Sequence, residues 1–434
     1  MDTYKNKFLT GWKKFVFFQY LKIYIFFRYT GLLFSRKINL KQYFTFFKRL
    51  LLFFEKVKVN KVVKTRGVYK IHIYFPAFPT KAFFIALDKF LTLRNDLLHP
   101  YPTSVLLSMT KACNYNCKHC YQKKDKMQDI PIEKLKQLAR QIQDIKISFI
   151  NIERGEPLIN FDRLIKIMKV IDNRSEVWVN TNGFSATEEK ARKMKEAGVF
   201  GVMVSLHHWN KNKHDQFVGK KGAFDMAISA LRLFKKAGLS TAINCTGTQE
   251  LIENNGFDKI MQIAKQTGCA MVQLIHEKPA GAWLEKNDTL NKDYLKKLYN
   301  YHLIYSRNRK YKEYPAVSSQ IFESTKNNFG CTAGGIERFY VNANGEVQPC
   351  EFVNVTFGNI NEEPFLDIYK RMRTVFDRPR TNWLCCTEHK KINKEFKKLK
   401  TKITPLSKEK SKTIINSFDF GEETELYKRM GLYE

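Results

Sequence analysis

The chain has 434 residues, 44% of them hydrophobic, and a formal net charge of +33 from 75 Lys and Arg against 42 Asp and Glu. That length buries a full core and leaves room for one large catalytic domain with smaller pieces attached, so no disulfide support is required. Its nine cysteines gather around positions 113–120 and at 331, 350, 385 and 386, with Cys245 and Cys269 apart, which suits metal ligation in a reducing compartment better than a disulfide framework.

Charge is uneven along the chain. Residues 1–70 carry 17 Lys and Arg against Asp2 and Glu55, and a second basic block runs from Lys390 to Lys412. Positive surface of this density attracts anionic lipid headgroups or nucleic-acid backbones; a solvated lysine-rich surface is the plainer alternative. Residues 15–34 approach the length of a membrane span, but Gln19, Lys22 and Arg28 interrupt them and no small-residue cleavage site follows, so neither a transmembrane helix nor a signal peptide is expected. Residues 41–56 form a basic amphipathic helix, with Lys41, Lys48, Arg49 and Lys56 on one side and Phe44, Phe47, Leu51 and Phe54 among the rest. Such a helix lies in a membrane interface, unless it packs on the enzyme body as an ordinary helix. Peripheral membrane contact through residues 1–58 is therefore expected.

A connector with Pro76 and Pro79 and a short helix over 81–93 lead to the first β-branched run, Ser104–Met109. It feeds Lys111-Ala-Cys-Asn-Tyr-Asn-Cys-Lys-His-Cys-Tyr121, where Cys113, Cys117 and Cys120 offer three thiolates from one tight loop. Four thiolates close a structural metal site, whereas three leave a position open for chemistry. A zinc loop is the alternative, but it would usually bring a second paired element.

The C-x3-C-x2-C spacing resembles that of the radical S-adenosylmethionine (SAM) superfamily. The resemblance implies that Cys113, Cys117 and Cys120 hold a [4Fe–4S] cluster whose fourth iron is chelated by SAM. It also implies reductive cleavage of SAM to a 5′-deoxyadenosyl radical that takes hydrogen from a substrate carbon, with an electron donor of the flavodoxin or ferredoxin kind.

Beyond the loop, Ile147–Ile152, Glu176–Asn180, Gly201–Leu206, Ser240–Cys245 and Ala270–His276 read as strands alternating with helices over 132–144, 161–171, 187–197, 223–237 and 257–267. The alternation predicts an α/β fold with a parallel sheet, a partial (β/α)6 barrel, as the resemblance also implies.

Functional residues of β/α barrels sit at the C-terminal strand ends. The second strand ends in Ile152-Glu-Arg-Gly-Glu-Pro157, similar to the family's Gly-Gly-Glu-Pro motif, with Arg154 in place of the first glycine. The resemblance assigns Gly155 and Glu156 to the SAM ammonium group. It assigns Asn180, Ser205 and, more distantly, Asn244 to the ribose and carboxylate, and His119 to the neighbourhood of the adenine; each is also a residue type that can simply finish a strand or sit in a loop. His207, His208, His214, Asp215, Gln273 and His276 follow as candidates for substrate contact or proton transfer.

Cys331 and Cys350 flank a hairpin turning on Asn344-Gly345, and Cys385, Cys386 and His389 follow. This group resembles the SPASM or twitch extension of radical SAM enzymes, which implies an auxiliary iron–sulfur cluster on Cys331, Cys350, Cys385 and Cys386. The fourth ligand stays open between the second of the paired cysteines, His389 and substrate, and zinc is the alternative metal. The expected organisation is a basic aromatic N-terminal extension over 1–100, a radical SAM core over 101–310, a small hairpin-containing cluster domain over 311–395 and a basic tail over 396–434.

The expectation is a radical SAM enzyme, cytoplasmic or peripheral on the inner face of the membrane, acting on a lipid or membrane-linked substrate. A peptide maturase is the rival reading. A non-catalytic iron–sulfur or zinc protein that binds membrane or nucleic acid is the alternative of another class.

Overall fold

The computed structural model describes residues 5–93, 96–125, 128–153, 155–286 and 291–433. Its strands are β1 (Lys7–Leu9), β2 (Val62–Thr65), β3 (Val68–Lys70), β4 (Ser104–Ser108), β5 (Phe149–Glu153), β6 (Glu176–Thr181), β7 (Gly201–Ser205), β8 (Ser240–Gly247), β9 (Met271–His276), β10 (Ala316–Ser319), β11 (Arg338–Val341) and β12 (Val347–Gln348). The last nine form one sheet in the order β10-β9-β8-β7-β6-β5-β4-β11-β12. The six strands expected from periodicity are its centre, β4 to β9, all paired in parallel.

Two edges were not expected. Strand β10 adds in parallel beside β9, and β11, the first arm of the Asn344-Gly345 hairpin, adds in parallel beside β4. The hairpin is thus part of the barrel wall, and only its second arm, β12, runs antiparallel.

Alternation along these strands sorts side chains into two environments. Val105, Leu107, Ile150, Ile152, Val179, Val204, Ile243 and Leu274 pack outward into the main core with the helices. The inner face begins with a separate apolar layer that includes Phe149, Trp178, Met203, Ala242, Met271 and Ala316. One step further along the strands that face turns polar: Ser205 is paired with Asn244, Asn244 with Gln273, and Gln273 with Ser318. The barrel is therefore plugged at its N-terminal end and wet at the end where the loops emerge.

The N-terminal extension supplies the stopper. Val63 and Ile73 complete the inner apolar layer. Lys70, fully buried, donates to the carbonyls of Ile73 and Phe75 and forms a 2.6 Å ion pair with Glu176, while Glu176 also accepts from Ala77 N. A buried charge pair satisfied in this way costs little, but breaking it strands a charge.

Helices α1 (Gly11–Phe34) and α2 (Leu40–Val57) cover this end. Asn39 and Gln42 form a capping box that starts α2. Helix α1 buries a stripe of Phe17, Phe18, Leu21, Ile25 and Tyr29, and the Tyr29 ring stacks on Phe46 of α2 at 3.8 Å. The opposite face stays open: Trp12 is 72% exposed, Phe27 70% and Phe34 83%. Among the described residues no helix is long and apolar enough to cross a membrane.

Residues 396–433 are not a free tail. They carry helices at Lys408–Ile415 and Glu425–Met430 and bury Leu426, Tyr427, Met430 and Tyr433. Buried Arg49 of α2 donates from Nε to Met430 O at 3.0 Å and from Nη1 to Phe90 O at 3.1 Å, tying the two ends of the chain together. The basic residues of this segment are its outer face, and the apolar ones between them carry the packing.

Candidate active site

The loop bearing Cys113, Cys117 and Cys120 is held on three sides by backbone. Glu156 N donates to Ala112 O at 2.7 Å, Asn116 N and Lys118 N donate to Val218 O and Phe217 O at 3.1 and 3.0 Å, and Ala282 N donates to Cys120 O at 2.9 Å. Glycines make the close approach feasible. A Cβ on Gly155 would stand 2.0 Å from Ala112 O, and one on Gly281 2.1 Å from Tyr121 C; both residues have positive φ, +56° and +54°.

The loop forms one wall of a cavity of about 1700 Å³, counted to its open mouth. Cys113, Cys117, Cys120, His119, Gly155, Asn180, Ser205 and Asn244 all line it. Burial and the neighbouring cysteines push the Cys117 thiol up to about 12, and burial raises Cys113 as well. A bound cation would favour the thiolate form of Cys113 and Cys117, and iron is a cation that thiolates bind. Among the described residues no three His, Cys, Asp or Glu side chains converge tightly enough for a single ion. The irons of a cubane each take their own thiolate, so a cluster does not ask for that convergence.

The polar wall also fits a ligand rich in hydrogen-bonding groups. Asn180 Nδ2 donates to Glu153 Oε2 at 3.1 Å, which leaves Asn180 Oδ1 buried without a partner; His119 Nδ1 and His276 Nδ1 are left in the same way. Buried polar atoms rarely stay unpaired, and the residues that carry these line space large enough for SAM.

Glu156 departs from expectation. Its carboxylate lies outside the cavity lining and accepts from Leu158 N at 2.9 Å, Thr181 Oγ1 at 2.5 Å and Asn182 N at 2.6 Å. Burial pushes it up to about 7 against those donors. Its side chain fastens the end of β6 to the end of β5, and the acid of β5 that does line the cavity is Glu153, which also accepts from Tyr121 Oη. Strand alternation carried the signal, since Asn151 and Glu153 share the inner face. Arg154 lies outside the described residues.

The histidines after β7 divide. His207 and His214 line the cavity, while His208 faces a separate surface cleft. His207 Nδ1 accepts from Thr246 N at 3.1 Å and His214 Nδ1 accepts from His207 N at 3.2 Å, which sets both rings neutral with the proton on Nε2. Burial holds His119 and His214 down at about 4. Asp215 is structural: its carboxylate accepts from Gly222 N and Phe224 N at the start of the next helix. Cys245 and Cys269 are buried in the main core.

The second cysteine group surrounds a smaller cavity of about 350 Å³, lined by Cys331, Cys350, Cys385, Arg338 and Lys278. Cys386 stands outside that lining, with its sulfur 3.9 Å from Cys385 and 3.6 Å from His276 Nε2, because successive residues of a helical turn point apart. His389 is also outside it; its Nδ1 pairs with Cys386 O at 2.7 Å. The hydrogen bond from Cys386 and the Lys278 ammonium, 3.2 Å away, hold Cys385 below the ordinary thiol range. Lys278 lines both cavities and stands between them, a role that nothing in its sequence context announced.

Residues 107–254 match the Radical SAM superfamily, and residues 331–394 match the SPASM iron–sulfur cluster-binding domain. The chain is a radical SAM enzyme with a SPASM extension. Its cofactors are accordingly a [4Fe–4S] cluster with SAM and auxiliary iron–sulfur. The enzyme is similar to the AdoMet-dependent heme synthase of Methanosarcina barkeri, at 25% identity over 62% of this chain and 82% of the relative. It is also similar to the mycofactocin maturase MftC of Mycolicibacterium smegmatis, at 26% identity over 44% of this chain and 48% of the relative. Among solved structures, SuiB of Streptococcus suis bound to S-adenosylmethionine superimposes with a TM-score of 0.55 at 15% identity, covering 67% of this chain and 71% of SuiB. That likeness concerns the fold.

Proposed function

We propose that Cys113, Cys117 and Cys120 hold the SAM-cleaving cluster, and that the Gly155 backbone, Asn180, Ser205, Asn244 and His119 receive SAM against it. In this reading Cys331, Cys350 and Cys385 hold an auxiliary cluster. The bound cofactors supply a 5′-deoxyadenosyl radical; the protein orients a substrate carbon toward it and keeps water away. Glu153 fixes Asn180, and the neutral rings of His207 and His214 close the wall beside the loop. The observation that carries the proposal is the meeting of the three cysteines and the polar strand ends in one cavity.

The substrate we propose is lipid or membrane-linked, supported by the exposed aromatic face of α1 among lysines and arginines, with the enzyme at the inner face of the membrane and a flavodoxin- or ferredoxin-like reductant. A peptide substrate is the second reading, favoured by the similarity to MftC and to the sporulation killing factor maturation protein SkfB of Bacillus subtilis.

Electron paramagnetic resonance of the anaerobically reconstituted, reduced enzyme tests the site assignment. SAM should change the cluster signal of the parent, and replacing Cys113, Cys117 and Cys120 by Ala should abolish the SAM-responsive signal while auxiliary iron remains. A SAM response that survives the triple replacement refutes the assignment.

A further inference from the structure

Beneath α2 lies a second cavity, about 1100 Å³ counted to its mouth. Its wall is mainly apolar, with Phe53 and Val57 from α2, Phe75, Phe90 and, from the C-terminal helix, Met430. Tyr74, Leu106, Ile275 and Glu351 line this cavity and the cluster-facing cavity alike, so the two adjoin across the inner face of β4 and β9. At the junction Gln273, 5% exposed, donates to Tyr74 Oη at 2.5 Å, and its Oε1 is buried without a partner. The helix that roofs this space carries Phe44 and Leu51 outward, 67% and 59% exposed, beside the open face of α1.

We propose that this second cavity holds the hydrocarbon chain of a membrane-derived substrate, which enters beneath α2 and reaches past Leu106 and Ile275 into the cluster-facing cavity. The inference rests on the radical SAM reading of the site and names the class of molecule it serves. Three observations converge on a hydrocarbon occupant. Most of the exposed wall is apolar, and the charged residues that also line it are paired with one another, His72 with Glu323, Lys89 with Glu337 and Arg338 with Glu351, so a chain gains by leaving water there. The space adjoins the reaction cavity, with Tyr74, Leu106, Ile275 and Glu351 common to both walls. The roofing helices present aromatic and basic residues, complementary to an anionic lipid surface. Gln273, whose Oε1 is buried without a partner, lines the second cavity beside Tyr74, which borders both.

The test uses the full-length reconstituted enzyme and cis-parinaric acid, a fatty acid whose fluorescence rises when its chain leaves water. The parent should bind it saturably, and Val57→Trp and Met430→Trp, which fill the cavity from two different helices, should each weaken binding at least about tenfold. Phe15→Ser with Phe27→Ser, on the outer face of α1, should leave binding in the absence of vesicles within about twofold. Iron content and thermal unfolding of each variant establish that it folds. Binding unaffected by both filling variants, or lost only with the α1 pair, overturns the proposal. So does an iron porphyrin or a peptide that binds saturably, and loses binding in both filling variants, where parinaric acid does not bind. Formation of 5′-deoxyadenosine by the parent, measured alongside, separates the two readings: if it forms and parinaric acid does not bind, the cavity assignment alone falls.

Discussion

Gly155 lies so close to Ala112 that a Cβ on it would stand 2.0 Å from the Ala112 carbonyl oxygen, and the neighbouring Glu156 N donates to that same oxygen at 2.7 Å. The end of β5 thus sets the position of the first cysteine of the cluster loop. Gly155→Ala adds an overpacked methyl and a left-handed backbone that L side chains disfavour, together costing about 2–5 kcal/mol. Expected is a lowered unfolding midpoint with loss of SAM-responsive iron, measured by iron analysis of the reconstituted protein.

The auxiliary cysteines should separate by the same analysis. Cys385 lines the small cavity with Cys331 and Cys350, whereas Cys386 turns toward His276. Cys385→Ala should lose auxiliary iron and Cys386→Ala should retain it. Equal loss in both would show that the paired cysteines ligate together.

Lys61 gives a pH-dependent stability with a defined sign. Its ammonium is buried against the carbonyls of Tyr311 and Tyr314 at 2.7 and 2.8 Å, and burial lowers it to about 7 from 10.5. Above about pH 7 the folded chain releases this proton while the unfolded chain still binds it, so stability rises with pH until about 10.5. Chemical unfolding of the parent and Lys61→Met should show the parent gaining on the variant by roughly 3 kcal/mol between about pH 7 and pH 9.5. Parallel curves would contradict it.

The proposed membrane contact rests on the exposed aromatics of α1, which carry little of the fold. Phe15, Phe27 and Phe34 are 63%, 70% and 83% exposed, so replacing all three by Ser should change stability by no more than about 0.5 kcal/mol per site. Cosedimentation with phosphatidylglycerol vesicles should fall sharply. Removing α1 and α2 outright is a poorer experiment, since Tyr29, Phe46 and Arg49 belong to the core and its ties.

The central strands were legible because their β-branched alternation is local: the run at Gly201–Leu206 became β7 at Gly201–Ser205. Strands β10 and β11 were not, for different reasons. Ala316–Ser319 is a four-residue run with no turn signal after it, and the pairing of Arg338–Val341 with β4 joins residues far apart in sequence. The hairpin itself was readable, but nothing local tells which sheet it joins. At the site, the positions of the cysteine loop and of the strand ends that carry Asn180, Ser205 and Asn244 could be read from motif and periodicity, and the structure puts these residues along one cavity, while the roles assigned to them remain proposals. Glu156 was misplaced because a motif names a residue without saying whether its side chain or only its backbone faces the cavity. The depth of Lys278 between the two cysteine groups, and of Arg338 beside Cys350, depends on long-range packing that no spacing records.

Formation of 5′-deoxyadenosine is the measurement closest to the central claim. The reconstituted enzyme, given SAM and dithionite without oxygen, should release 5′-deoxyadenosine and methionine in equal amounts, and Cys113→Ala, Cys117→Ala or Cys120→Ala should abolish both. Release that persists in those variants, or none from a parent with full iron content, would contradict the account.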